Sequence, residues 1–72
     1  MKLSTASEMQ EYTIDLVDVD DEELRSFLFS LGCYSGERIT VIKQRKSGCI
    51  VVLKDSRYSI DSRLADSISV KE

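Results

Sequence analysis

The fold of this chain is decided by residues 24–41, which read LRSFLFSLGCYSGERITV. The apolar residues of the first half have the i, i+3, i+4, i+7 spacing that buries one stripe of a helix: Leu24, Phe27, Leu28 and Leu31. Gly32 follows, and glycine readily adopts the left-handed conformation in which helices commonly end. A second glycine turn then leads into alternating apolar residues, which are typical of strands. We therefore predict one amphipathic helix that leads directly into a sheet.

The residues just before this stretch indicate where the helix begins. Asp20 is a helix-capping residue type, and Glu23 three positions later completes a capping box. Val19 ahead of the cap and Leu24 behind it fit a hydrophobic staple. The carboxylates of the first turn are also favoured there by the helix dipole. We therefore predict an α-helix over residues 20–32.

Short apolar runs separated by tight turns occupy most of the remaining sequence. Before the helix, Tyr12, Ile14 and Leu16 occupy alternate positions, as in a half-buried strand. After it, turns are predicted at residues 46–48, 55–56 and 62–66, the last as a short helical turn. The pattern predicts a mainly β fold with helices, namely a small antiparallel barrel of about five strands. We expect the closed sheet to leave no exposed strand edge, with the helix over one open end.

Composition limits the class of protein. The 72 residues carry a net charge of -3 and are 42% hydrophobic, which suits a single folded domain over residues 1–72. No apolar run approaches the roughly 18 residues that span a bilayer, and the first eight residues lack the apolar core of a secretory signal. We expect a cytoplasmic protein with no direct membrane insertion, in which Cys33 and Cys49 stay reduced.

The residue types that catalysis requires are largely missing. The chain has no histidine, and none of its serines lies in a Gly-x-Ser-x-Gly setting. It also lacks the glycine-rich loop and lysine that bind nucleotide phosphates. The acidic residues before the helix do not have the spacing of a calcium loop, and helix capping explains them. We therefore predict no enzyme activity, no cofactor and no metal site.

The charge distribution leaves nucleic-acid binding open as an alternative. Residues 37–72 carry eight bases against five acids, and small barrels often bind RNA or DNA. However, the whole chain is acidic, and only Tyr58 lies among the basic residues as a stacking platform. Few cations release few counterions, so we expect weak affinity and do not expect nucleic acid to be the partner.

Two segments resemble the bacterial FeoA family. Residues 28–41 have its leucine-rich helix, Leu-Gly stop, glycine turn and following strand, and residues 58–70 look like its closing segment. Residues 1–4 fit its usual opening, so the resemblance covers nearly the whole chain. Two departures stand out. Ser35 replaces the usual proline before Gly36, which we expect to loosen that turn, and the hairpin at residues 46–48 is shorter than in many relatives.

The resemblance implies an SH3-like barrel and an accessory role in ferrous iron transport, not an enzyme. FeoA-like proteins are regarded as interaction modules that act on the cytoplasmic GTP-binding region of the FeoB transporter. The same domain type ends iron-dependent repressors of the DtxR kind, but this sequence has no helix-turn-helix region. The resemblance therefore favours the free-standing transport protein. A metal-sensing regulatory domain and a nucleic-acid-binding barrel remain as alternatives.

We expect two groups of side chains to contact such a partner. The first is apolar and lies at the helix C-terminus and the following turn: Leu31, Cys33 and Tyr34. The second is a polar rim that would steer the encounter: Arg45, Lys46 and Arg57. The helix periodicity also places Leu31 on the stripe that faces the core, so its place in the first group competes with burial.

Overall fold

One antiparallel sheet, in the strand order β4-β3-β2-β1-β5, forms the body of the computed structural model, which describes residues 1–72. The strands are β1 Gln10–Val17, β2 Arg38–Arg45, β3 Gly48–Leu53, β4 Ser56–Asp61 and β5 Ile68–Lys71. The helices are α1 Glu22–Leu31 and α2 Ser62–Asp66, and a 3-10 helix at Leu3–Thr5 precedes β1. The predicted five-stranded, mainly β architecture is confirmed, including the short helical turn near residues 62–66.

One edge strand of the sheet, β5, is covered by another segment of the chain, and the other edge strand, β4, is not. The outer edge of β5 is covered by the N-terminal segment, because the Val70 N–H donates to the Met1 carbonyl oxygen at 2.7 Å and Lys2 bridges to Ser69. β4 pairs only with β3 and has no strand on its other side. The expectation that closure removes every strand edge is therefore wrong for β4.

Every strand and both α-helices contribute to a single core of sixteen buried apolar residues. The strands supply most of it, while α1 contributes Leu28 and α2 contributes Ala65. Leu3 of the 3-10 helix is fully buried and was not foreseen from the sequence. Burying a leucine side chain stabilises a fold by about 2 kcal/mol, so the N-terminal segment is part of the structure.

The N-cap of α1 lies one residue later than predicted, and the helix spans Glu22–Leu31 within the predicted range of 20–32. The carboxylate of Asp21, not Asp20, accepts hydrogen bonds from the N–H groups of Glu23 at 2.9 Å and Leu24 at 3.2 Å. At the other end Gly32 is left-handed, with a φ of 94°, and the Cys33 N–H donates to the carbonyl oxygen of the residue five positions earlier. This is a Schellman motif, and the predicted stop at Gly32 is confirmed.

The position of the cap gives a first prediction. Asp21→Ala should lower the free energy of unfolding by about 1 kcal/mol, because two helix N–H groups lose their acceptor. Asp20→Ala, which removes the same charge one residue earlier, should change it by less than about 0.5 kcal/mol. Urea titrations of both variants make the comparison, and equal losses would contradict the assignment of Asp21 as the cap.

The predicted apolar stripe of α1 is buried only in part. Leu28 is 1% exposed and Leu24 packs against the core, whereas Phe27 is 58% exposed. Leu28 is the one fully buried residue of α1, so the helix faces the core through a narrower stripe than predicted. Phe29, on another face, is 63% exposed. The prediction was therefore wrong for Phe27, and α1 carries two aromatic side chains at the surface.

The expected alternation in β1 breaks near its end. A β-bulge between Ile14 and Leu16 shifts the register with β5. An extra residue reverses which side chains face inward, because alternation has a period of two. Leu16 is therefore 56% exposed, while Val17 packs against the core. The bulge places an apolar side chain at the surface next to α1.

Candidate functional site

A pocket of about 230 Å³ opens between α1, the end of β1 and the turn that follows α1. We call it the helix–strand pocket, and it is lined by Leu16, Val17, Arg25, Phe29, Cys33, Tyr34 and Ser35. Five of these seven residues are hydrophobic, and two of them are among the most exposed large apolar residues of the chain. Exposed apolar surface gathered in one concave place is typical of a binding site.

Two aromatic rings form one wall of the helix–strand pocket. The rings of Phe29 and Tyr34 stack with their centroids 4.6 Å apart and their planes 28° from parallel. Stacking of this kind adds about 1 kcal/mol beyond the area that it buries and holds both rings in place. The wall is therefore preorganised, which lowers the entropy that a partner must remove when it binds.

The turn that carries Tyr34 is fastened to the bulge in β1. The Ser35 hydroxyl donates a hydrogen bond to the carbonyl oxygen of Asp15. The Gly36 N–H donates to the Ile14 carbonyl oxygen at 2.8 Å. We expected Ser35 to loosen this turn relative to a proline, but its side chain supplies a tether that proline lacks. The same contact holds Leu16 beside the aromatic wall.

Cys33 forms the floor of the pocket and is only 2% exposed. Burial raises the pKa of its thiol from 9.0 to about 11, because the charged thiolate loses its hydration. Cys33 therefore exposes little surface of its own, and its contact with a partner stays a prediction. Cys33 and Cys49 are both free and buried, so neither is set up as a nucleophile.

The thiol gives a pH prediction. The folded chain holds the Cys33 proton to higher pH than the unfolded chain, so this contribution to stability is fully present below pH 9.0 and is lost toward about pH 11. The urea midpoint should therefore fall between pH 8 and pH 10. It should fall less steeply in Cys33→Ala, which has no thiol to titrate at this position. If the urea midpoints of the two proteins fall equally steeply with pH, titration of the Cys33 thiol is not the cause.

A charged pair lies beside Tyr34, on the side of the β3–β4 turn. Lys54 forms an ion pair with Glu37, and its ammonium lies 5.9 Å from the centre of the Tyr34 ring. The hydrogen bond to Glu37 raises the pKa of Lys54, so this side chain stays charged throughout the neutral range. Its aliphatic part passes directly over Gly32. The Phe29 ring stacked on Tyr34 and the Lys54 ammonium near its ring together hold this side chain in place.

The structure brings together only part of the predicted site. Tyr34 and Cys33 line the pocket, whereas Leu31 is half-buried and does not. Arg45 pairs with Gly48 at the start of β3, and Arg57 pairs with Val52 near its end. The two arginines therefore lie about 13 Å apart along the direction of β3. Lys46 follows Arg45 in the hairpin, and all three cations are exposed. They do not form one rim, and their contact with a partner stays a prediction.

Five of the seven residues that line the pocket were not among the predicted partner contacts: Leu16, Val17, Arg25, Phe29 and Ser35. Phe29 lies off the apolar stripe of α1, on a face that the periodicity assigns to solvent. A large aromatic residue on a face expected to be polar was the available signal. Leu16 gave no such signal, because its exposure depends on a bulge that forms only when β1 pairs with β5.

A second depression, of about 460 Å³, lies beside the N-termini of α1 and α2. Its charged residues are Asp18, Asp20, Asp21, Asp61 and Arg63. Folding already accounts for two of these carboxylates, because Asp21 caps α1 and Asp61 accepts a hydrogen bond at the start of α2.

No group of three or more histidine, cysteine or acidic side chains is arranged to hold a metal ion. Neither α-helix has the length and apolar content that crossing a bilayer requires.

Known structures share this fold. A FeoA described as an iron uptake regulatory protein has a TM-score of 0.84 and 22% identity, with 99% of this chain and 95% of that chain covered. The FeoA of Stenotrophomonas maltophilia, solved with zinc and described as a prokaryotic SH3 domain protein, gives 0.83 and 17%, covering 99% and 89%. Iron(II) transport protein A from Clostridium thermocellum gives 0.86 and 25%, covering 99% and 44%.

The chain spans less than half of that Clostridium thermocellum chain, and 40% of a manganese-dependent transcriptional repressor that gives a TM-score of 0.87 and 18% identity. No curated protein has a significantly similar sequence. The sequence does match the FeoA domain model over residues 1–72. This match over the whole chain, together with the SH3-like fold, shows that the protein belongs to the FeoA family, whose small accessory domains are implicated in ferrous iron transport.

Proposed function

We propose that this protein is a non-enzymatic, cytoplasmic module that docks on the cytoplasmic GTP-binding region of a FeoB-type ferrous iron transporter. The observation that carries the proposal is the helix–strand pocket, where Leu16 and Phe29 are exposed beside Tyr34. Family membership supplies the transport context, and the pocket supplies a surface suited to a protein partner.

The chemistry of the pocket indicates what the partner presents. A volume of about 230 Å³ accommodates one or two apolar side chains, and its rings offer a flat, rigid contact area. Arg25 lies at the rim, where its guanidinium donates to the Val19 carbonyl oxygen and makes no ion pair with this chain. The complementary segment therefore has an apolar anchor with an acidic residue nearby.

A binding titration tests the proposal. The chain is titrated into the purified cytoplasmic region of the FeoB-type transporter from the same organism, with GTP or GDP present. We expect saturable one-to-one binding that persists as ionic strength rises, because the contact is mainly apolar. No binding to the transporter region, with salt-sensitive binding to RNA or DNA or stoichiometric uptake of ferrous iron instead, would support the alternatives and overturn the proposal.

A further inference from the structure

The outer edge of β4 carries backbone groups that nothing else in the chain satisfies. Lys54 and Asp55 form a two-residue turn with positive φ values of 48° and 67°, so the turn hydrogen bond joins the Leu53 carbonyl to the Ser56 N–H. Hydrogen-bonded and non-hydrogen-bonded pairs alternate along an antiparallel ladder. Alternate residues of β4 from Ser56 onward therefore point their backbone groups toward β3, and those between point away.

The residues that point away are Arg57, Ser59 and Asp61. The bond from the Ser62 N–H to the Ser47 carbonyl oxygen, at 2.8 Å, continues the same alternation one step further and supports the assignment. The Asp61 carbonyl is taken, because Asp61 is the N-cap of α2 and its C=O accepts the first helical hydrogen bond, whereas no turn or loop hydrogen bond reaches the other outward backbone groups. All three are exposed, so a row of donors and acceptors faces outward at this edge.

The charged side chains along this edge of β4 are complementary to those of a second β4 strand that runs antiparallel to it. Antiparallel pairing of two β4 strands about Ser59 sets Arg57 opposite Asp61 of the partner subunit, and does so twice because the arrangement is two-fold symmetric. Arg57 has no ion-pair partner within its own chain, and Asp61 uses only Oδ1, which accepts from the Leu64 N–H. Charges that ordinarily keep strand edges apart would therefore attract each other in this register.

The backbone groups match in the same register. Pairing about Ser59 joins only residues that point outward, and because the Asp61 carbonyl of each copy is already bonded to α2, the three facing pairs give about four backbone hydrogen bonds. We propose that two copies of this chain associate through antiparallel pairing of β4 about Ser59. The occupant of the edge is a second copy because the self-complementary charges and the free backbone groups select the same register.

This dimer goes beyond the docking role and does not depend on it. The helix–strand pocket lies at β1 and α1, and two strands, β2 and β3, separate β1 from β4 in the sheet. Pairing at β4 therefore leaves the pocket open. Loss of the dimer and loss of binding to the transporter are measured separately and can fail separately.

Concentration-dependent experiments on the full chain test the dimer directly. A single strand pair is a small interface, so we expect weak association that appears between about 20 µM and 1 mM in sedimentation velocity. Hydrogen exchange followed by NMR should show added protection at the amides of Ser59 and Asp61 as concentration rises. The amide of Tyr58, which is already bonded to β3, should not change. A monomer throughout this range would overturn the proposal.

Two variants and a matched control locate the interface. Arg57→Asp converts both attractive pairs into repulsive ones and should raise the dimer Kd about tenfold or more. Arg45→Asp makes the same charge change on an exposed strand residue outside β4 and should leave the Kd within about twofold. Ser59→Pro removes an outward N–H without touching the β3 ladder, and should abolish the dimer while far-UV spectra stay unchanged. A dimer that survives both β4 variants would overturn the proposed pairing.

Discussion

Gly48→Ala is expected to lower the free energy of unfolding by about 4 kcal/mol or more. Gly48 begins β3 with a φ of 152°, and a Cβ atom placed there would lie 2.0 Å from the carbonyl oxygen of Ile60 and 2.7 Å from the Cα of Asp61. Both neighbours are backbone atoms of β4, so relief requires the β3–β4 ladder to separate. A loss of this size is expected from such a clash. Chains of this size have total stabilities of about 4 to 11 kcal/mol.

Gly36→Ala is the matched control for this prediction. Gly36 also has a positive φ, 93°, but no atom lies within 4 Å of the Cβ that alanine would add. Only the conformational penalty remains, so the loss should be about 1 to 2 kcal/mol. Circular dichroism with urea titration compares the two variants. A Gly48→Ala protein as stable as Gly36→Ala would contradict the close approach of β3 and β4 at this residue.

Phe29→Ala is expected to raise the Kd for the transporter's cytoplasmic region by about 30-fold or more. Truncating a central aromatic anchor typically costs about 2 kcal/mol or more of binding free energy. The ring is 63% exposed and contributes to the wall of the helix–strand pocket, so its loss should remove contact area without opening the core. The free energy of unfolding should fall by only about 1 kcal/mol, through loss of the stack with Tyr34.

Phe27→Ala provides a control on the same helix. Phe27 is 58% exposed and two residues away, but it does not line the pocket. Its removal should change the Kd by less than about threefold. Isothermal titration calorimetry measures both variants beside the parent chain. If the Phe27 variant loses as much affinity as the Phe29 variant, the contact is a general property of the helix surface and the pocket is not its centre.

Local signals explain why most of the fold was predictable. The glycine after α1 and the tight hairpin at residues 46–48 each depend on residues next to each other in the chain, and both were predicted correctly. The helix cap was misplaced by one residue because Asp20 and Asp21 are the same residue type. Deciding between them requires knowing where the chain turns after β1, which is a tertiary property.

The surface of the pocket was harder to predict because it depends on contacts between distant segments. Leu16 turns outward only because β1 bulges where it pairs with β5, more than fifty residues later. Phe27 stays exposed because Leu28 is the only residue of α1 that is fully buried in the core. Periodicity describes the element by itself, whereas exposure depends on how the element packs. Tyr34 lies in the turn after α1, where the sequence placed it, but it is only partly exposed and its contact with a partner stays a prediction.

NMR mapping of the complex tests the central claim most directly. The isotope-labelled chain is titrated with the unlabelled cytoplasmic region of the FeoB-type transporter, and shifts are followed residue by residue. We predict that the largest changes fall on the residues around the helix–strand pocket, including Leu16, Phe29 and Tyr34, while Phe27 and the outer edge of β4 change little. An unchanged spectrum at saturating partner, or changes confined to surfaces away from this pocket, would contradict the account.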